Sequence, residues 1–492
     1  MQADRGFTLS HQKVALELGF SGVLAGFTEL TIMPSNAALR HIYLHARCMD
    51  IQRVLCNGQE VRFEHTDAVQ SLALSDIHGH AQLKRDLFSA TSQGAEGELR
   101  ISLPDHLHPE RASSGTEGNA DGEEFSMMTI RIDYVLEDVQ EAIQVIRPTA
   151  DAPYRVPHMY TRPLGLNSSR CWIPCLDSLW DRCTWELEYV VPRRLSLDMG
   201  DLDDETPEIY VISSGELTEH AMHPQNPEKS VFYYTQQVAT SVQHVAFCAG
   251  PFVMTRLSPA GMQTCETLSF CLPEHEHELR STTQFAWQAI EYISSEYGSY
   301  PFGSFKLVFV DGTHEDCHTA STLAICSSDL LHPPSVIDQA FENRHILSHA
   351  VAFQWVGINI IQKTWADTWL IHGLSQYLAS MFLRCLLGNN EYRFRMKKDC
   401  DRLCHWDIGM PPLYQAGRDE PLDPQLLSFV NLKAPLVLYL LDRRLCKMGA
   451  SLGLGRVIPK VFLQAITGEM SNNALGTHSF LRTCKKVSSA DL

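Results

Sequence analysis

The chain has 492 residues, 44% hydrophobic and 20% charged, and carries a formal net charge of −18 from 40 basic and 58 acidic residues. That balance excludes a disordered chain and leaves room for roughly two to four domains. The acidic surface also excludes bulk electrostatic attraction to DNA, so nucleic-acid contact has to be local or partner-assisted.

The N-terminus, MQADRGFTLSHQKVALEL, has no signal-peptide apolar region. With no run of about 18 apolar residues, no transmembrane helix is expected. The 15 cysteines are odd in number and scattered, with C-x-x-x-C pairs at Cys171/Cys175 and Cys400/Cys404 and no C-x-x-C pair. A disulfide framework is therefore not expected, and a reduced intracellular compartment is.

Residues 7 to about 255 read mostly as strands, among them 27–34, 126–137, 183–192 and 231–239, which alternate or carry β-branched and aromatic residues. The segments 91–97, 111–124 and 199–208 are small, polar or acidic and read as loops, the second of them disordered. After Gly250-Pro251-Phe252 the pattern changes. Residues 280–297 place Phe285, Ala289, Tyr292 and Ile293 on one helical face, and 305–311 reads as a buried strand. Helices are expected over 336–360, 367–387, 389–404, 429–447 and 453–466, with Pro411/Pro412 and Pro421/Pro424 breaking the run between the third and fourth. The fold class is α+β: a β-rich saddle domain over 1–255, then a mainly helical domain over 256–492. The basic clusters Arg393/Arg395/Lys397/Lys398 and Arg443/Arg444/Lys447 read as solvated helix faces.

The segment 346–379 concentrates the chemistry. Two His at i and i+4 share a helix face and can grip one Zn²⁺, with a Glu between them as general base for the metal-bound water. The five positions here read His349, Ala350, Val351, Ala352 and Phe353. Ala350 stands at the general-base position and Phe353 at the second-ligand position. The spacing to the next helix puts His372 at the third-ligand position. Two readings of His349 stay open: a groove-lining His held by one hydrogen bond, or a surviving ligand that needs at least two more. Glu342 lies too far upstream to replace the base. Phe353 predicts apolar packing rather than an open polar cleft. Trp365 and Trp369 read as structural, with Asp367 as the N-cap of the second helix.

Over most of its length the chain resembles the gluzincin aminopeptidases, with a thermolysin-like catalytic domain. The resemblance rests on 168-SSRCWIPCLDS-178, 212-ISSGE-216, 248-CAGPF-252, 297-YGSYPFGSFK-306 and the helix pair at 346–379. It implies further altered positions. The Glu that anchors a substrate amine in that family falls at Ser321, with Glu315 nearby, and the Tyr that donates to the tetrahedral intermediate falls at Asn431. The segments 26–34, 163–188 and 388–399 resemble one non-catalytic branch, the aminopeptidase-like TBP-associated subunits of the general transcription factor TFIID. That resemblance implies a nuclear scaffold with no zinc or other cofactor and no membrane. Its partners are other TBP-associated factors, with local or indirect core-promoter contact. The alternative is a zinc aminopeptidase using His349, His372 and a further ligand; a third reading is an unstable fragment with no role of its own. Members of the branch are far longer, so the chain reads as a fragment, a truncated product or a degenerate copy.

Overall fold

Alternation of buried and exposed side chains builds the first half of the molecule. The computed structural model describes residues 5–488 except 71, 73–78, 94–95, 110–124, 138, 140, 163–166, 196–207, 260–264, 314 and 449–452. In the strands Met128–Leu136 and Arg182–Pro192 every second side chain is buried, as a sheet packed on one face requires. Eight strands pair in the spatial order Glu216–His223, Asn226–Ser241, Arg182–Pro192, Phe7–Leu18, Leu24–Pro34, Met128–Leu136, Asp50–Cys56, Gln59–Glu60. Phe7–Leu18 runs parallel to Arg182–Pro192, with His11 opposite Thr184, and antiparallel to Leu24–Pro34. A four-stranded and a three-stranded sheet complete the β structure here. The core between them holds Trp172, Trp185, Tyr189, Phe232 and Phe247. Tyr134 shows how its polar tips are satisfied: its hydroxyl donates to the Trp172 carbonyl at 3.0 Å.

The chain divides into two compact units, one ending at Phe252 and one beginning at Val253. In the first unit a helix, α1 (His80–Gln93), takes up the start of the segment 91–97, which reads as a loop from composition. Its polar sequence carries little apolar periodicity, which is why the sequence pattern misses it. The loop expected over 111–124 and nearly all of that over 199–208 lie outside the described residues.

The second unit is built on a five-stranded sheet in the order Val253–Arg256, Glu266–Cys271, Ser304–Val310, Leu323–Ser327, Cys317–Ala320. Its central strand Ser304–Val310 is buried at every position and parallel to both neighbours. Between the first parallel pair run α2 (Glu276–Thr283) and α3 (Ala286–Glu296), the crossover that parallel pairing demands. The single helix expected over 280–297 is thus two. The Thr282 and Thr283 hydroxyls donate to the carbonyls of Glu278 and Leu279, at 2.9 and 2.6 Å, and such back-bonding bends a helix.

The remaining helices are α4 (Asp338–Phe353), α5 (Thr368–Leu387), α6 (Asn389–Trp406), α7 (Pro424–Lys447), α8 (Leu454–Ile466) and α9 (Thr477–Ser488). The expected helix over 336–360 stops at Phe353 because Gly357 sits at φ +142°, and the chain folds back with the Ile358 N–H on the Phe353 carbonyl. α7 starts earlier than its apolar pattern indicates. Pro424 occupies its first turn, where no N–H is needed, and the Asp423 carboxylate accepts from the Leu426 N–H at 2.9 Å.

Asp367 is not a side-chain cap of α5. It ends the short turn Trp365–Asp367, and its carboxylate accepts from the Thr364 N–H, the Thr364 hydroxyl and the Thr477 N–H, at 3.2, 2.7 and 2.7 Å. It therefore ties the start of α5 to the start of α9. The expectation of no membrane-length apolar helix needs correcting: Trp365–Leu387 and Pro424–Lys447 are long and apolar enough by composition, with mean hydropathies of 1.2 and 1.3. In the first of these, burial in the core explains the character, since 56% of the apolar window is covered; in the second only 22% is.

Candidate functional site

The site forms where α4, α5 and α7 meet. Gly373, one residue past His372, sets the approach of α7: a Cβ there would lie 2.9 Å from the Ala434 Cβ and 3.0 Å from Leu438. A side chain would hold the helices apart; its absence lets Asn431 come against His372.

Phe353 stands between the two imidazoles. Its ring centroid is 5.7 Å from that of His349, edge-on at 67°, and 5.7 Å from that of His372, tilted at 58°. Gly357 makes room for it, since a Cβ at that position would lie 2.5 Å from three carbons of the ring. Ala350 is buried within the helix packing. His349, Phe353 and His372 are each half-buried.

The His349 ring is held by Ser375, one turn beyond His372. The Ser375 hydroxyl donates to the His372 carbonyl at 3.0 Å, so its oxygen accepts from His349 Nε2–H, also at 3.0 Å. This places the His349 proton on Nε2, the nitrogen facing α5. Desolvation, then the neighbouring His372 and His345, pushes the His349 pKa down to about 3. His372 is pushed down to about 4 by desolvation, against a smaller opposing effect of Asn431. Among the described residues, neither His372 Nδ1 nor Asn431 Oδ1 reaches a well-formed hydrogen bond with another protein group. Both rings are therefore neutral near pH 7.

Ser321, expected from the resemblance at the amine-anchor position, lies elsewhere on the same framework. Ser321 is fully buried in the hairpin between Cys317–Ala320 and Leu323–Ser327, next to Thr322 at φ +58°. Gln354 pins that hairpin to the end of α4: its Oε1 accepts from the Thr322 N–H at 2.9 Å and its Nε2 donates to the Ala320 carbonyl at 3.0 Å. Glu315 is exposed. The structure thus brings together His349, Phe353, His372 and Asn431, and puts Ser321 in the turn that Gln354 holds. Sequence reading missed Ser375 and Gln354. The first is signalled only by its spacing of three from His372, which places both on one helix face.

Beyond His345 and Gln376, one turn from the two site imidazoles, a cavity of about 430 Å³ opens among α4, α5, α6 and α7, with Asn431 on its wall. Glu342 lines this cavity and is bound by Arg395, which also bonds Glu391 at 2.7 Å. The zinc chemistry of the gluzincin layout can be tested against this donor set. Among the described residues, His349 and His372 belong to no group of three or more close His, Cys, Asp or Glu donors. A phenyl ring stands between them, and one ring nitrogen is engaged by Ser375.

No family model matches the chain. It is 34% identical to transcription initiation factor TFIID subunit 2 of Schizosaccharomyces pombe over 97% of its own length and 44% of that protein. It is 31% identical to the Drosophila melanogaster protein of the same name over 82% of its length and 32% of that protein. The Saccharomyces cerevisiae counterpart is 23% identical over 99% of this chain and 46% of that protein. The chain spans less than half the length of each of these curated relatives. Among solved structures, yeast leukotriene A4 hydrolase in complex with bestatin superposes with a TM-score of 0.70 at 15% identity, covering 99% of this chain and 66% of that one. An M1 zinc metallopeptidase of Deinococcus radiodurans gives 0.64 at 17% identity, covering 99% and 92%. The β-rich first unit and the helical second unit share that metallopeptidase fold. By its homology over 97% of its length, the chain belongs to the TFIID subunit 2 family.

Proposed function

We propose that the chain is a non-catalytic scaffold portion of the general transcription factor TFIID. In this role it works in the nucleus with other TBP-associated factors, supporting core-promoter recognition and assembly of the RNA polymerase II pre-initiation complex. Contact with promoter DNA is local or indirect. The observation that carries the non-catalytic reading is the Phe353 ring lodged between His349 and His372. A catalytic zinc needs three protein ligands and an open position for water. Here a phenyl ring occupies one ligand position, and His349 Nε2 is engaged by the Ser375 hydroxyl. The donor set does not fit the metal. Ala350 adds a second deficit, since loss of a positioned general base alone costs about 10²–10⁴-fold in rate. Ser321 and Asn431, at the amine-anchor and oxyanion-donor positions, offer neither a carboxylate nor a phenol.

The test has two arms. Purified protein is assayed with amino-acyl fluorogenic substrates with and without chelator, and its metal content is compared with that of His349→Ala/His372→Ala. No turnover and no metal dependent on these two histidines are expected; chelator-sensitive turnover that disappears in the histidine variant overturns the reading. For the assembly role, the tagged chain recovered from nuclear extract should co-purify with TBP-associated factors identified by mass spectrometry. Recovery free of every TFIID component overturns it.

A further inference from the structure

A cluster of soft and hard metal donors sits in the first unit, among residues that the site described above does not use. Cys48, Cys171 and Glu141 bring two sulfurs and a carboxylate oxygen to within 4.8 Å of one another. The Cys171 Sγ to Glu141 Oε2 separation is 3.8 Å. Around a tetrahedral zinc, with Zn–S of about 2.3 Å and Zn–O of about 2.0 Å, sulfur and oxygen ligands lie roughly 3.5 Å apart. That pair is therefore within a few tenths of an ångström of bonding separation, and the Cys48 sulfur lies within 4.8 Å of both.

Three separate stretches of chain deliver these donors, and the two that carry the sulfurs are tied together by backbone hydrogen bonds. The loop 45–48 runs against 170–175: His45 and Cys175 exchange backbone hydrogen bonds at 2.8 and 3.0 Å, and the Arg47 N–H donates to the Arg170 carbonyl at 2.8 Å. Cys48 is fixed in the left-handed region at φ +57°, an unfavourable conformation for a residue with a Cβ, and its N–H donates to Asp67 Oδ2 at 3.0 Å. Beside Cys171, the Arg170 guanidinium is locked by Glu98 at 3.0 Å and Asp177 at 2.9 Å. Glu141 lies just before the strand Ile143–Ile146, and its neighbour Ala142 donates its N–H to the Val139 carbonyl at 3.1 Å.

Accessibility and charge also suit a cation. Cys171 is buried, Cys48 half-buried and Glu141 exposed, so an ion can enter and a water can complete the coordination. Arg47, 3.7 Å from Glu141 and 3.6 Å from Asp67, offsets the negative charge that two thiolates and a carboxylate leave around a dication. A second donor group, Glu274, His275 and Asp311, has no sulfur and its Asp311 is already bound by Ser328.

We propose that Cys48, Cys171 and Glu141 form a structural binding site for a zinc-class divalent cation, which fastens the loop 45–48 to the segment 167–175. On binding, each thiol gives up its proton to solvent, the two sulfurs and Glu141 Oε2 bond to the ion, and a water takes the fourth position. The site is independent of the His349/His372 position, so zinc bound to this protein is not by itself evidence of peptidase activity.

Metal-free, reduced full chain is loaded with Zn²⁺, and separately with Co²⁺, then desalted and measured by elemental analysis and absorption spectroscopy. Stoichiometric metal is expected, with a thiolate-to-cobalt charge-transfer band in the wild-type protein. Both should be lost in Cys48→Ser/Cys171→Ser, reduced roughly tenfold in affinity in Glu141→Gln, and unchanged in His349→Ala/His372→Ala. The wild-type cobalt spectrum keeps the test decisive if the cysteine variant does not fold. Absence of metal uptake, a cobalt spectrum without the thiolate band, metal that follows the histidines, or a native Cys48–Cys171 disulfide found by mass mapping overturns the proposal. Only metal that follows the histidines also bears on the scaffold reading, which keeps the two failures apart.

Discussion

Gly357 is the tightest single-residue constraint at the site. Its φ of +142° and the 2.5 Å gap from its would-be Cβ to the Phe353 ring leave no space for a side chain. Gly357→Ala should destabilise the protein by about 1–3 kcal/mol through overpacking, and Phe353→Ala should relieve part of that loss when combined with it. Urea unfolding of the two single variants and the double gives the coupling, and strictly additive effects would show that ring and glycine do not meet. His349 makes a prediction of opposite character. Its folded pKa of about 3 lies below the ordinary histidine range near 6.5, so the unfolded chain takes up its proton first. Stability is therefore unaffected by this ring above about pH 6.5 and falls as pH drops from there towards 3, by up to about 1.4 kcal/mol per pH unit. His349→Gln should flatten that slope. Equilibrium unfolding of both proteins at pH 7 and pH 5 checks it: an unchanged difference between the two pH values would contradict the burial argument. The identities of Ala350 and Phe353 were legible in the sequence. The meeting of Phe353 with His372 was not, because it joins two different helices.

At the level of elements, Gly373 decides how α5 and α7 pack. Gly373→Val would place a branched side chain where Ala434 and Leu438 lie only about 3 Å from the would-be Cβ. A loss of roughly 1–3 kcal/mol is expected. Near-ultraviolet circular dichroism should change with it, since Trp369 on α5 lines a small cavity together with Phe429 and Val430 of α7. Most strands and helices could be read from the chain: the alternation of 128–136 and the apolar stripe of α5 are properties of local sequence. Ends were harder. α4 ends early because Gly357 takes a left-handed conformation, and α7 begins early because Pro424 suits a first turn. Asp367 shows the limit of motif reading: its carboxylate has the right chemistry for a cap, and yet its partners include Thr477, 110 positions away in sequence.

For the whole molecule, net charge governs encounter with nucleic acid. A chain of −18 should show no retention of core-promoter duplex at physiological salt in a mobility-shift assay. Tight, steeply salt-dependent binding by the isolated chain would show that a local basic surface overrides the overall field. Exposed apolar side chains govern association with other chains. Leu440 on α7 and Ile466 on α8 are each 66% exposed, and Leu440→Lys/Ile466→Lys should lower self-association measured by light scattering on a sizing column. An identical molar mass across concentrations for both proteins would rule these faces out as sticky surfaces.

The sequence by itself determined the class of the fold, a change from strands to helices read near residue 255, and the letters His349, Ala350 and Phe353 at motif spacing, because alternation, helical periodicity and motif spacing are local properties. Only the tertiary structure decided that Phe353 stands between His349 and His372, that Ser375 engages His349, and that Cys48, Glu141 and Cys171 converge. Those meetings join residues that are distant in the chain, and they are set by glycine-permitted close approaches and by backbone hydrogen bonds between loops. No local pattern encodes such a distance.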